Sequence, residues 1–148
     1  MQGGSWWLLA GAGLLAYGLL SRHRERLLGF REVGPVEAVR LMNDEDALVL
    51  DVRTAREFAA GHVAGARHLP LAELPRRLEE LAPWRERPVL IFCHSGRRSA
   101  RAAALLRRAG FQRVHKLRGG LLAWEEARLP LRRGTVRGGT AGRGKEEA

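Results

Sequence analysis

The feature that most constrains the fold is an apolar run at residues 89–92, followed at once by Cys93, the only cysteine in the chain. The run contains β-branched and aromatic residues and predicts a buried strand. A short polar loop follows, and Ser99 is a favourable N-cap for a helix over residues 101–108. The thiol therefore lies at the carboxyl end of a strand, which is the edge where parallel sheets bind their ligands.

The loop after Cys93 is suited to an anion. Gly96 allows a tight turn whose backbone N–H groups point inward, and the helix behind it adds the positive end of its dipole. Arg97 and Arg98 add positive charge. Such surroundings stabilise a thiolate, so we expect Cys93 to be a reactive nucleophile. The alternative is a cysteine that only fills space in the core.

The composition limits the chemistry further. A single cysteine excludes an intramolecular disulfide and a cysteine-cluster metal site, and a free thiol favours a reducing compartment. The scattered histidines have no metal-ligand spacing, so we predict no metal and no cofactor. The net charge is +10, from 26 Lys and Arg against 16 Asp and Glu. Because the arginines are spread over the whole chain without interleaved aromatic residues, we predict no nucleic-acid partner.

An uncharged and mostly apolar segment begins the chain. Residues 2–21 carry no charge, with Trp6 and Trp7 near one end and Tyr17 near the other. About twenty helical residues cross a bilayer core of roughly 30 Å, so we predict a transmembrane anchor with a basic flank over residues 1–26. The arginines after the apolar run place the rest of the chain in the cytoplasm. A cleaved signal peptide and a buried core helix are the alternatives.

Strands and helices alternate between residues 31 and 131. Strands are predicted at 30–33, 47–51, 66–69, 89–92 and 112–117, and helices at 35–42, 55–60, 71–81, 101–108 and 121–128. This alternation predicts an α/β domain over residues 27–131, with a parallel sheet flanked by helices on both faces. Residues 132–148 are basic, rich in glycine and poor in apolar side chains, which predicts a disordered tail.

Several motifs, in this order and spacing, resemble the rhodanese-homology domain. They are Asp51-Val52-Arg53, Glu57-Phe58, GHVAGA at 61–66, CHSGRRS at 93–99, and Gly119-Gly120 followed by Trp124. With the preceding apolar segment, the whole chain is similar to the single-pass, single-domain rhodanese-like proteins of Gram-negative bacteria. The resemblance implies a rhodanese-like fold and a place in the bacterial inner membrane, with the catalytic domain on the cytoplasmic side.

The resemblance also implies a sulfurtransferase. In this family the loop cysteine takes a sulfane sulfur from a donor such as thiosulfate, forms a persulfide, and passes the sulfur to a thiophilic acceptor such as cyanide or a thiol. Carried over, Cys93 is the nucleophile, and Arg97 or Arg98 binds the anionic donor. The partners implied are a small anionic sulfur donor and a thiol or protein acceptor. The substrate-binding set is His94, Ser95, Gly96, Arg97, Arg98 and Ser99.

The length of the loop disfavours a related chemistry. Cysteine phosphatases place an arginine six positions after the cysteine, where this chain has Ser99. Here the arginines come four and five positions after Cys93, and a loop that ends at Arg98 fits a sulfur atom better than a phosphate. We therefore do not expect phosphatase or arsenate reductase activity.

Four residues outside the loop are assigned supporting roles. Asp51 and Arg53 end a strand beside the loop, and an ion pair between Arg53 and Glu57 is expected to be worth little at the surface. Substrate contact is the alternative role for this pair. His62 is predicted to be a hydrogen-bonded structural histidine, with a general base as the alternative. Trp124 is expected in the core or at the rim of the pocket.

Two other functions stay open. The chain is alternatively a membrane-tethered protein-interaction module with little or no turnover, because small-molecule chemistry does not need the anchor. A redox sensor that uses the Cys93 thiolate is a third hypothesis. It would need an external thiol, since the chain has no second cysteine.

Overall fold

The computed structural model describes residues 6–134, without the side chains of residues 21, 22 and 24–26. The elements, in order, are α1 (Trp6–Leu28), β1 (Arg31–Val33), α2 (Pro35–Asp44), β2 (Leu48–Asp51), α3 (Ala55–Ala60), β3 (Arg67–His68), α4 (Leu74–Arg77), a 3-10 helix (Leu78–Trp84), β4 (Pro88–Phe92), α5 (Arg97–Arg108), β5 (Arg113–Leu117) and α6 (Gly120–Glu126).

The five strands form one sheet in the order β1-β5-β4-β2-β3, and each neighbouring pair is parallel. This confirms the predicted parallel α/β fold. The strand β4 lies at the centre, and Phe92 at its end is in register with Asp51 at the end of β2. The loops that follow these two strands therefore meet at the same edge of the sheet.

The two faces of the sheet are each covered by helices, as predicted. Along β4, Val89 and Ile91 belong to the core shared with α4, the 3-10 helix and α5. Leu90 and Phe92 point the other way, into the core shared with α2, α3 and α6. All five residues of β4 are buried, because side chains alternate between two covered faces.

One predicted helix is interrupted. The helical segment predicted over residues 71–81 is divided into α4, which begins at Leu74 and ends at Arg77, and a 3-10 helix, Leu78–Trp84. Pro83 lies inside that second segment and has no N–H to donate to a carbonyl four residues earlier. The chain therefore cannot carry regular α-helical hydrogen bonds through this segment.

The N-terminal apolar segment is helical, but the predicted transmembrane helix is not supported. The helix α1 has 23 residues, and among the helices within residues 6–134 none combines enough length and hydropathy to cross a membrane. The apolar run ends at Leu20, and four charged residues follow at 22 and 24–26 in the same helix. At about 1.5 Å per residue the apolar part is roughly 22 Å long, against a hydrocarbon core of about 30 Å.

The predicted tail begins inside the folded region. The main chain of Arg132 exchanges two hydrogen bonds with that of His62, at 2.7 and 2.8 Å, and Gly134 N–H donates to the Ala59 carbonyl at 2.9 Å. The chain therefore stays attached to the domain up to Gly134, past the predicted boundary at residue 131. The rest of the predicted tail, residues 135–148, lies outside the described residues.

Candidate active site

Cys93 lies directly after β4, at the carboxyl edge of the sheet and at the base of the loop that leads into α5. Only 1 % of its surface is exposed. The N–H of Gly96 donates to Cys93 Sγ at 2.9 Å, and the thiol donates to Ser99 Oγ at 3.3 Å. The sulfur is thus enclosed by the turn that follows it, and a backbone amide points at it.

The turn depends on Gly96, which has a left-handed φ of 101° and is the N-cap of α5. No side chain caps this helix. The first N–H groups of an α-helix have no partner within the helix, so those of α5 are available to an anion beside Cys93. The left-handed conformation of Gly96 confirms the predicted tight turn in the loop after Cys93.

The assignment of Ser99 as the N-cap is wrong. The helix α5 begins at Arg97, and Ser99 lies in its first turn, fully buried. Its hydroxyl donates to the Gly96 carbonyl at 3.0 Å and accepts from the Cys93 thiol. The left-handed turn at Gly96 starts the helix two residues before Ser99 can cap it, so Ser99 contacts the sulfur instead.

The start of α6 supports the floor of the site. Leu121 N–H donates to the Cys93 carbonyl at 2.8 Å, and Leu122 N–H donates to the His94 carbonyl at 3.2 Å. Gly120 has a φ of 61°, and a Cβ at this position would stand 2.5 Å from both of those carbonyl oxygens. The close approach of α6 to the loop therefore requires glycine at this position.

Arg98 is held by an acidic partner on α3. Its two terminal nitrogens donate to the two carboxylate oxygens of Glu57, each at 2.7 Å, in a bidentate pair. Thr54 caps α3 and also donates to Glu57, through its N–H at 2.9 Å and its hydroxyl at 3.0 Å. The hydrogen bonds from Arg98 lower the pKa of Glu57 to about 2, and Glu57 raises the pKa of Arg98.

The other polar side chains of the loop face solvent. His94, Ser95 and Arg97 are exposed. Within residues 6–134, the Arg97 guanidinium has no hydrogen bond or ion pair with a side chain or carbonyl. Of the two loop arginines, Arg98 is paired with Glu57, whereas the Arg97 guanidinium has no such partner among residues 6–134.

The expected ion pair between Arg53 and Glu57 is wrong. Arg53 is 3 % exposed and binds Asp51 instead, with Nη2 to Oδ2 at 2.7 Å and Nε to Oδ1 at 3.0 Å. Its Nη2 also donates to the Gly61 carbonyl at 2.6 Å, and its Nη1 donates to the Glu57 carbonyl at 3.3 Å. Asp51 and Arg53 thus tie the end of β2 to α3 from inside the domain, where a charged pair without such partners would be costly.

His62 is buried, 5 % exposed, and its ring contacts Phe58. Its Nδ1 donates to the Phe58 carbonyl at 2.8 Å, and its ring stacks on that of Phe58 with centroids 3.8 Å apart. These contacts agree with a structural histidine. Trp124 is also in the core, packed edge-on against Phe92, with its Nε1 donating to the Pro130 carbonyl at 3.1 Å.

Sequence reasoning missed Lys116 and the close approach of Gly120. Lys116 is 8 % exposed, and its Nζ donates to the Gly96 carbonyl at 2.9 Å. The only local signal was a lysine at an otherwise buried position of a strand, which the strand pattern does not explain. For Gly120 the pair Gly119-Gly120 was visible, but the partner it approaches is distant in sequence.

The fold and the site define the general class of the protein as a parallel α/β domain with a single buried cysteine before the start of a helix. The sequence model of the family described as "Rhodanese-like domain" matches residues 34–127. The chain belongs to that family.

The chain is also similar to proteins whose names state an activity. The chain is 42 % identical over 92 residues to a protein named sulfurtransferase from Allochromatium vinosum, covering 62 % of this chain and 84 % of that protein. It is 35 % identical over 102 residues to the thiosulfate sulfurtransferase GlpE of Actinobacillus pleuropneumoniae, covering 69 % of this chain and 93 % of the relative. These relatives support sulfur transfer in general.

A solved structure agrees with the fold. The crystal structure of a thiosulfate sulfurtransferase from Pseudomonas aeruginosa superposes with a TM-score of 0.67 at 28 % identity. The match covers 85 % of this chain and 24 % of the longer Pseudomonas chain. The domain found here therefore corresponds to about a quarter of that protein.

Proposed function

We propose that the protein is a sulfurtransferase that carries sulfane sulfur as a persulfide on Cys93. The observation that carries this proposal is the Gly96 N–H, which donates to Cys93 Sγ at 2.9 Å at the open N-terminus of α5. Hydrogen bonds to sulfur stabilise its anionic form, and the same arrangement suits the outer sulfur of a persulfide. Since Cys93 is 1 % exposed, only a small reactant reaches it without movement of the loop.

The reaction proceeds in two displacements. The Cys93 thiolate attacks the outer sulfur of thiosulfate, the sulfur–sulfur bond of the donor breaks, and sulfite leaves with the electron pair. A new sulfur–sulfur bond now joins Cys93 to the transferred atom. An acceptor such as cyanide then attacks that outer sulfur, leaves as thiocyanate, and returns the electron pair to the Cys93 thiolate.

Arg97 is proposed to bind the donor, while Arg98 shapes the loop. Arg98 donates two hydrogen bonds to Glu57, and this pair connects α5 to α3. Arg97 is exposed at the first position of α5, beside the loop. A dianionic donor therefore finds an arginine with unused hydrogen-bond donors at Arg97.

The proposal is tested with the purified full chain. Wild type is expected to form thiocyanate from thiosulfate and cyanide, and Cys93→Ala is expected to abolish turnover. Circular dichroism of the variant serves as the control for folding. Equal inertness of wild type and variant with thiosulfate and with polysulfide would refute the proposal.

A second candidate function follows from α1. Large apolar side chains on this helix face solvent, with exposures between 70 % and 86 % at Trp6, Trp7, Leu8, Leu9, Leu14, Leu15 and Tyr17. Sulfur transfer does not need such a surface. It supports the proposal that the helix holds the domain at the bacterial inner membrane, with Cys93 on the cytoplasmic side, where the protein acts as a tethered interaction module.

Location and tethering are tested together. Leu8→Glu with Leu15→Glu places charge on the exposed apolar surface without touching the core. Wild type is expected in the membrane fraction and the double variant in the supernatant. A tethered module predicts that a Cys93→Ser strain behaves as wild type while the double variant does not. Wild type found wholly in the supernatant would refute the proposed location.

A further inference from the structure

Lys116 is a buried cation at the back of the cysteine loop. It enters from β5, and its Nζ donates to the Gly96 carbonyl at 2.9 Å. Glu32 on β1 is its counterion, with Oε1 at 3.3 Å from Nζ. Burying an ammonium group is costly unless it is paired, and these two contacts compensate that cost. They also fix the direction in which the ammonium group points, which is toward the turn that encloses the sulfur.

The Gly96 carbonyl receives a second donor, the hydroxyl of Ser99, at 3.0 Å. The same hydroxyl oxygen accepts from the Cys93 thiol at 3.3 Å. A hydroxyl has one proton and can donate it to one acceptor at a time. Ser99 therefore donates to Gly96 while Cys93 is a thiol. It can donate to the sulfur only by leaving the Gly96 carbonyl.

We propose that Lys116 is a positioning residue that keeps the Gly96 carbonyl satisfied, so that Ser99 can turn its proton to the Cys93 thiolate. The thiol proton goes to solvent, the Ser99 hydroxyl rotates without breaking its O–H bond, and Lys116 remains as the donor to Gly96. No covalent bond changes in this step. The inference rests on the proposed function of Cys93 as the nucleophile.

The charged contact also holds the turn itself. The N–H of Gly96 points at Cys93 Sγ while its carbonyl is bound by Lys116, so both ends of this residue are fixed. A Cβ at Gly96 would be in ordinary contact with Lys116 Nζ, at 3.4 Å, so the ammonium group lies directly beside this residue. A hydrogen bond with a charged donor is stronger than a neutral one, which keeps Gly96 in its left-handed conformation when Ser99 turns away.

The test measures the rate at which iodoacetamide alkylates Cys93 from about pH 6 to about pH 10, the range around the ordinary pKa of a thiol. The full-length variants are Lys116→Met, Lys116→Arg and the matched control Arg118→Met. Arg118 lies 3.6 Å from the same Glu32 and is 66 % exposed. The control therefore removes a neighbouring cation of Glu32 without touching the loop.

The other charged groups around the sulfur are the same in all variants. Arg98 from α5 interacts with Cys93 and with Asp51 at the end of β2, and Glu57 from α3 holds Arg98 in place. A change in the pH profile of Lys116→Met therefore comes from the loss of the Lys116 ammonium group and its contact at Gly96. A lysine that only supported the fold would change the unfolding temperature and leave that profile in place.

We expect Lys116→Met to react about tenfold more slowly than wild type near neutral pH, with the midpoint of the profile at higher pH, as loss of a charged hydrogen bond implies. Lys116→Arg restores part of the rate, and Arg118→Met matches wild type. An unchanged profile, or faster alkylation with an unchanged midpoint, overturns the proposal. Lys116→Leu, which also lacks a donor, replaces Lys116→Met if that variant does not fold.

Alkylation needs no sulfur donor, so the two proposals fail separately. If the wild type transfers sulfur but Lys116→Met leaves the alkylation profile unchanged, only the proposed role of Lys116 is refuted. A chain that cannot form thiocyanate, but shows the shifted profile, refutes the sulfurtransferase and leaves the positioning of Cys93 by Lys116 intact.

Discussion

The substitution Gly120→Ala tests how closely α6 supports the cysteine loop. Gly120 has a φ of 61°, and a Cβ there would be 2.5 Å from the carbonyl oxygens of Cys93 and His94. These same carbonyls accept the first hydrogen bonds from α6. The methyl group therefore meets backbone atoms that cannot rotate away, so either α6 or the loop must move.

We expect Gly120→Ala to lower the free energy of unfolding for two reasons. A left-handed conformation costs a non-glycine residue about 1–2 kcal/mol. Overpacking against fixed atoms costs about 1–3 kcal/mol more. Gly65→Ala is the matched control, because Gly65 has a similar φ of 77° but nothing within 4 Å of its Cβ position. We expect the control to lose only the cost of the left-handed conformation, and Gly120→Ala to lose about 2–5 kcal/mol of unfolding free energy in total.

Urea unfolding gives the loss of stability, and thiocyanate formation gives the loss of activity. Gly120→Ala is expected to lower both, since the hydrogen bonds from α6 to Cys93 and His94 are broken or stretched. Gly65→Ala is expected to lower stability alone. Equal stability and equal turnover in the two variants would show that α6 does not determine the position of the loop.

Three further outcomes follow from the contacts. Arg97→Ala is expected to raise KM for thiosulfate about tenfold with kcat little changed, because one charged hydrogen bond to the donor is lost. Steady-state kinetics measures both constants, and an unchanged KM would contradict this role of Arg97. Glu57 has a folded pKa of about 2, below its ordinary value of 4.5, so its pair with Arg98 stabilises the fold above about pH 4.5 and loses this effect as the pH falls toward 2. Both side chains of that pair are about a third exposed, so urea unfolding should show a loss of about 1 kcal/mol, absent in Glu57→Gln. His115 is buried with both ring nitrogens unpartnered among the described residues, and burial lowers its pKa, so stability should fall as the pH drops below 6.5. His115→Phe should remove that loss and stabilise the domain by about 1 kcal/mol, and a destabilised variant would contradict this.

The central strand and its cysteine were predictable because the signals are local. An unbroken apolar run, a single thiol, a glycine and a helix sequence follow one another within twenty residues, and the alternation of elements implies parallel pairing. The start of α5 was predicted wrongly. Residue preference favoured Ser99 as the cap, but the left-handed Gly96 turns the chain into the helix earlier.

The partners of the charged residues could not be predicted, since they depend on which strands are neighbours. Glu57 and Arg98 are 41 positions apart, and they meet because β2 and β4 lie side by side. The sequence predicts a local ion pair of Arg53 with Glu57, but Arg53 binds the buried Asp51, two residues away. For Lys116 the only local signal was a lysine within a buried strand, and its contact with Gly96 exists only because β5 lies beside β4.

The N-terminal segment shows the limit of counting apolar residues. The absence of charge up to residue 21 indicated an anchor, and the segment is helical. The apolar part nevertheless stops at Leu20, and the helix continues through charged residues to Leu28. Hydropathy over the whole helix, rather than the first uncharged stretch, decides whether the helix can cross a bilayer.

The central claim is that Cys93 carries sulfur, and intact-mass spectrometry of the purified full chain tests it most directly. After brief exposure to thiosulfate and removal of the excess, wild type is expected to gain the mass of one sulfur atom. Cyanide should remove that atom, and Cys93→Ala should gain nothing. A wild-type mass that stays unchanged with thiosulfate and with polysulfide, or an equal gain in Cys93→Ala, would contradict the account.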